Sequence, residues 1–487
     1  MLFNSTIFIF GFLPLTLTVF YGLSSYDKRV AAGFLGLASI VFYGWWDSRY
    51  IALLFTSIIG NFLFAEAIVR AKPALARTLL ATAIAADLGL LGYYKYSGFF
   101  ITNLNIISGS RFVIPNIILP LGISFFTFTQ IAFLVDTWRG AAHERNFLHY
   151  FLFITYFPHL IAGPILHHAE MMPQFGKPET FRFHPNRLAI GVSLFIFGLV
   201  KKTVCADGVA PIAQTVFAAA SPGQSLDAVH SWCGALAYAM QIYFDFSAYS
   251  DMALGISVMF GVRLPLNFNS PYQATSVIEF WRRWHMTLSR FLRDYLYIPL
   301  GGNRCSLPRR YTNLMVTMLL GGFWHGAAWT YVVWGGLHGV YLVVNHIWNL
   351  IKPKAMSGAV PRIAGAVLTF LCVTVAWVFF RAPSLDNAFI LLRGMSGMQG
   401  LFAANAPYIS NQQIMILCIL MSVCWLAPNA YQILGEYDPS LQPVQYVEGT
   451  LTWRPSLKWA AWLGAFAAIS LSQILSGSPS EFIYFQF

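Results

Sequence analysis

"TIFIFGFLPLTLTVFYGL", residues 6–23, carries no charged side chain. At about 1.5 Å of rise per residue, a helix over this stretch covers nearly the hydrocarbon thickness of a bilayer. No basic segment precedes it and no A-x-A cleavage site follows, so it reads as a retained membrane helix rather than a removed signal peptide. Outward from it, apolar stretches recur at 30–46, 50–69, 78–94, 117–135, 149–165, 188–200, 228–244 and 250–262. More follow at 314–323, 331–350, 363–380, 412–426 and 457–475. Of the 487 residues, 57% are hydrophobic and 10% charged, against roughly a quarter charged in a soluble domain. With a mean hydropathy of +0.60, the inventory cannot furnish a water-facing surface. The sequence predicts an all-α polytopic membrane protein, with about eleven to thirteen crossings plus re-entrant helices.

"ILPLGISFF" (118–126) and "YFPHLIAGPI" (156–165) are interrupted by Gly and Pro. Broken helices persist at membrane depth only where protein packs around them or they line a cavity. The chain reads as one integral membrane domain over 1–487: N-terminal helices to 116, a core from 117 to 381, and C-terminal loops and helices over 382–487. The polar segments 381–411 and 427–458 are predicted surface loops. No internal repeat is visible, which weakens a secondary-transporter reading.

The net charge of +11 would suit a nucleic-acid ligand, but its distribution argues otherwise. Lys28 and Arg29 follow the first stretch, and Arg70, Lys72 and Arg77 follow the third; the loop between holds only Asp47 and Arg49. Basic residues in alternate loops mark the cytoplasmic side, which places the N-terminus outside and requires no nucleic acid. The six cysteines form no C-x-x-C pair and imply no disulfide framework. G-x-S-x-G, H-E-x-x-H, Walker and G-x-G-x-x-G motifs are all missing from the sequence, against serine-hydrolase, zinc-protease and nucleotide-driven chemistry.

Ionisable residues in apolar segments are costly and mark function by default. "QIYFDFSAYSD" (241–251) holds Asp245 and Asp251. "FWRRWHMTLSRFLRDYLYIPLGGNR" (280–304) concentrates five arginines, an aspartate and a histidine. As one helix it would put Trp281, His285 and Ser289 on one face, with Arg290 and Asp294 spaced for an ion pair. Such a helix suits either a membrane-surface anchor or a set of arginines holding an anionic donor. "GGFWHGAAWTYVVWGGLHG" (321–339) holds His325 and His338. A neutral buried His325 is poised to accept a proton, and its glycine neighbours admit a substrate chain. On an ideal helix His338 would face elsewhere. His159 and the His167–His168 pair are not spaced as metal ligands, and no metal is predicted.

The 280–304 stretch followed by "FWHGAAWTYVVWGGLHG" (323–339) resembles the membrane-bound O-acyltransferases, within them the bacterial alginate O-acetylation branch. "LPLGISFFTFTQIAFLVDTWRG" (119–140), "YFPHLIAGPI", "FDFSAYSDMALG" (244–255) and "WVFFRAPS" (377–384) share the resemblance. It implies a ring of tilted helices around a tunnel, with His325 of the "WHG" motif at the narrow centre and His285 of "RWH" as the second functional position. It implies acyl transfer from a cytoplasmic thioester donor, such as acetyl-CoA or an acyl carrier protein, to a hydroxyl beyond the membrane. No bound cofactor is expected. His325 is the expected general base, His285 the residue that orients the donor or stabilises the oxyanion, and direct transfer is expected because no nucleophilic serine or cysteine stands out. Arg282, Arg283, Trp324 and Asp245 are the expected donor- and substrate-binding residues. The expected partners are the donor, a periplasmic O-acetyltransferase or relay protein, a polysaccharide (alginate-like, peptidoglycan or cellulose) and the lipids of a bacterial inner membrane. The alternatives are D-alanyl or lipid/protein O-acyl transfer on the same fold and, in another class, a solute transporter.

Overall fold

The computed structural model describes residues 1–351, 358–402, 409–443, 451–477 and 480–483, and among them every regular element is helical. Among the described residues, five helices are long and apolar enough to cross a bilayer: Arg49–Arg70, Pro73–Ser108, Pro185–Ala219, Ala359–Arg381 and Leu457–Ser476. Phe8–Ser24, Ile123–Trp138 and Asn411–Leu426 are shorter and apolar. The chain is an all-α polytopic membrane protein. Fewer helices meet the criterion than the sequence-based count of crossings, for a physical reason. Ala228–Met259 (32 residues) and Trp329–Ile351 (23 residues) are long, but they carry buried aspartates or histidines. Such residues are tolerated where other helices, not lipid, surround them.

The stretches 228–244 and 250–262, expected as separate spans, are one helix, Ala228–Met259. It continues past Asp245 and Asp251 because both are partnered: Asp245 accepts from Lys202 Nζ at 2.7 Å, and Asp251 accepts from the Tyr431 hydroxyl at 2.5 Å. The predicted loop after 381 contains a helix, Leu385–Met395, begun by Ser384, whose hydroxyl accepts from the Asn387 N–H. The breaks expected around 118–126 and 156–165 are present: residues 109–120 are non-helical, and Phe147–Thr155 stops just before "YFPH".

The chain divides into two compact units. The first comprises Met1–Leu199, Tyr249–Leu266 and Ala430–Glu481. It is held by phenylalanine packing, with Phe157 meeting Phe12 and Phe42 at 5.3 Å and Phe260 at 5.8 Å. The second comprises Val200–Ala248, Asn267–Asn429 and the described C-terminal residues Phe482 and Ile483. Its core centres on Tyr238, Phe268, Trp284, Trp334, Trp377 and Phe380, all buried. Within it, Leu307–His325 and Trp329–Ile351 form a tight hairpin. Gly322 and Gly335 meet backbone to backbone there: a Cβ on either would lie about 3 Å from the other's Cα, and small residues permit this approach in membrane helices. At the turn, a side chain on Gly326 would collide with the Tyr331 ring. The hairpin therefore fixes His325 at a helix end.

Candidate active site

Every residue of the candidate site belongs to the second unit. The 280–304 stretch does not form one helix. A short helix, Val277–Trp281, gives way to a turn, and His285 adopts the left-handed conformation (φ 42°, ψ 52°) before a second helix, Met286–Leu292. The face shared by Trp281, His285 and Ser289 is thereby lost. Asn267 and Asn269 supply the competing hydrogen bonds. Met286 N–H donates to the Asn267 carbonyl at 2.9 Å, and Asn269 N–H donates to the Arg283 carbonyl at 2.9 Å. The Asn267 side-chain oxygen accepts from the Thr287 hydroxyl at 2.9 Å and pairs with His285 Nδ1 at 3.0 Å. A non-glycine residue in this conformation costs about 1–3 kcal/mol and persists only where its surroundings over-determine it. His285 is wholly buried here. Donating Nδ1–H to Asn267 makes Nε2 the acceptor nitrogen.

His325 closes the helix Leu307–His325 and is 6% exposed. Its ring meets those of Trp324 at 4.9 Å, Trp334 at 5.1 Å and Phe380 at 5.2 Å. The His285 ring lies edge-on to Phe246 at 4.8 Å, and 6.4 Å from each of Trp324 and His325. Two histidines 40 positions apart in sequence, at 285 and 325, thus share one aromatic cage.

The other expected residues divide. Trp324 is part of the cage. Arg282 is exposed and makes no ion pair among the described residues. Arg283 pairs with Glu279 at 2.8 Å and donates to the Asn269 carbonyl at 3.3 Å. Burial pushes the Glu279 carboxyl up, but the Thr275 N–H and hydroxyl together with the Arg283 guanidinium outweigh it and hold the group below its usual range. Asp245 makes its bonds to residues outside the cage. One oxygen takes Lys202 and the other the Ile483 N–H at 2.8 Å, although the adjacent Phe246 touches His285. His325 and His338 lie on different helices of the hairpin, not on two faces of one. His338 is wholly buried, accepts from the Trp281 indole N–H at 3.2 Å and stacks on Phe280 at 6.0 Å. No group of three His, Cys, Asp or Glu among the described residues is placed to hold a metal ion. Sequence reasoning missed Asn267, Trp334 and Phe380. The signal for Asn267 was an asparagine inside the apolar run "LPLNFN" (264–269); the two aromatic residues look like any core positions.

A model of the membrane-bound O-acyltransferase family matches residues 123–382. A Helicobacter pylori protein named peptidoglycan O-acetyltransferase is 43% identical, over 82% of this chain and 80% of its own length. An Azotobacter vinelandii protein named probable alginate O-acetylase AlgI is 38% identical over the full length of both. A more distant Streptococcus thermophilus protein named teichoic acid D-alanyltransferase is 28% identical, over 53% of this chain and 68% of its own length.

Proposed function

This chain belongs to the membrane-bound O-acyltransferase family and is an acyltransferase, and from that premise we propose that it supplies acetyl groups for O-acetylation of an extracytoplasmic polysaccharide. The donor is a cytoplasmic thioester, acetyl-CoA or an acyl carrier protein. The acetyl group crosses the inner membrane and reaches the polymer directly or through a periplasmic O-acetyltransferase. The observation that carries this reading is the 6.4 Å separation of the His285 and His325 rings inside an aromatic cage. The ring edges come closer than their centres, so a reacting acyl group beside that shared edge meets both imidazoles.

His325 takes the proton of the acceptor hydroxyl as its oxygen attacks the thioester carbonyl carbon. The carbonyl electron pair moves to oxygen. On collapse the C–S bond breaks, and the thiolate leaves with the proton held by His325. Of the two roles expected for His285, orientation fits better than oxyanion stabilisation. A neutral ring that donates Nδ1–H to Asn267 presents a lone pair at Nε2, which accepts from the amide N–H groups of a pantetheine arm but cannot donate to an oxyanion. Identity of 38–43% to proteins named O-acetylases, against 28% to a D-alanyltransferase, favours acetyl over D-alanyl transfer.

The test is reconstitution of the purified protein in vesicles, with labelled acetyl-CoA or acetylated carrier protein on one side and acceptor glycan on the other. Thioester cleavage coupled to O-acetyl product supports the reading. Consumption of D-alanyl thioester alone supports the second reading, and an intact donor with solute movement would overturn both.

A further inference from the structure

Arg381 ends the helix Ala359–Arg381, where a guanidinium could simply reach for water or lipid headgroups. It does not. The half-buried Arg381 lays its guanidinium over the Phe217 ring at 5.7 Å and the Tyr238 ring at 6.0 Å. Both rings are buried, Phe217 at 3% exposure and Tyr238 at 0%. Among the described residues no carboxylate pairs with Arg381, and the buried Tyr238 hydroxyl has no hydrogen-bond partner. The Tyr331 hydroxyl also lies within reach of the Arg381 charge. A buried phenol without an acceptor is costly, and a guanidinium held against two rings is pre-organised to present its fork to a planar or tetrahedral oxyanion. The preceding residue, Phe380, puts its ring 5.2 Å from His325 and 5.0 Å from Tyr331. Tyr331, whose ring meets Phe380 and whose hydroxyl feels the Arg381 charge, links the guanidinium to the cage in which acyl transfer is proposed.

We propose that Arg381 and Tyr238 form an anion subsite beside the histidine cage, which holds a carboxylate or phosphate of the acyl-transfer substrates by the guanidinium fork and the phenol O–H. The subsite rests on the acyl-transfer reading for the identity of its ligand. Two sources share the chemistry, the carboxylate of an acidic glycan acceptor and the phosphate of a pantetheine donor. Cation–π contact with Phe217 and Tyr238 holds the guanidinium in place while its N–H groups face the anion.

Isothermal titration of the full-length protein in lipid nanodiscs separates these sources without requiring turnover. One arm compares glucuronate oligosaccharides with cello-oligosaccharides; the other compares 4′-phosphopantetheine with pantetheine. The anionic member of at least one pair is expected to bind about tenfold more tightly to the wild type, and that arm identifies the source. Arg381→Gln should abolish the preference, Arg381→Lys should retain part of it, and Tyr238→Phe should weaken anion binding about threefold. A melting temperature measured on each variant separates lost binding from lost fold. The subsite is overturned if neither anion is preferred by the wild type, or if the preference survives in a folded Arg381→Gln. Persistence of the preference in a protein that transfers no acyl group would sink the activity reading and leave the subsite standing.

Discussion

Two positions on one hairpin hold histidines in comparable aromatic company, yet their surroundings suit them to different roles. In mid-helix, His338 accepts a hydrogen bond from Trp281, stacks on Phe280 and is wholly enclosed. At the turn, His325 sits at a helix end beside a glycine that no side chain can replace without striking Tyr331, and opposite a second histidine held in a strained conformation. A mid-helix imidazole whose Nδ1 is tied to a neighbouring indole and whose ring is stacked is held by its packing; one at the edge of a strained cage beside an irreplaceable glycine is a candidate for chemistry. Burial alone does not distinguish them.

The sharpest way to break this contrast is to truncate both histidines. His325→Ala should lower the transfer rate by roughly a hundred to ten thousand in a protein that is still folded and inserted. His338→Ala should do the reverse, losing on the order of 2 kcal/mol of stability from the cavity and the stranded Trp281 N–H, while the surviving folded fraction stays active. O-acetyl content measured beside thermal melting in detergent reads both. An inactive but stable His338→Ala would erase the distinction.

A smaller effect is expected at Asn267. Its side chain fixes the His285 ring and its carbonyl secures the turn, so Asn267→Ala should slow transfer about tenfold or more through a misoriented ring, at about 1–3 kcal/mol per unmet bond. Asn267→Asp, which keeps an acceptor, should retain more activity. Equal rates in both variants would show that the bond to His285 does not matter.

The smallest effect is expected in the arginine pair, which structure now divides. Arg282 is exposed, whereas Arg283 is tied to Glu279. Arg282→Gln should raise the donor KM up to about tenfold if it meets an anionic donor. Arg283→Gln should act on stability by about 1 kcal/mol or less, as a partly exposed pair does. A donor KM that shifts only with Arg283 would reverse this division.

Much of the fold was legible because the membrane imposes length and polarity locally. The helices Arg49–Arg70, Ala359–Arg381 and Leu457–Ser476 each fall within a few residues of the apolar stretch that predicted them. What stayed hidden depends on partners remote in sequence. The continuity of Ala228–Met259 follows from Lys202, 43 residues before Asp245. The break at His285 follows from Asn267, 18 residues upstream, and nothing within the 280–304 stretch announces it. His285 and His325 were legible as residues, through their rarity in apolar surroundings and the motifs around them. Their proximity was not, because it arises from the glycine-packed hairpin and the Asn267 turn together.

If His285 and His325 act on one reacting centre, a double-substitution cycle on the transfer rate must show it. Residues that work as a unit are strongly non-additive. His285→Ala alone should cost about a hundredfold and His325→Ala a hundred- to ten-thousandfold. The doubly substituted protein, folded and present at normal level, should be about as slow as His325→Ala alone. Rate losses that multiply in full would show two independent contributions and contradict it.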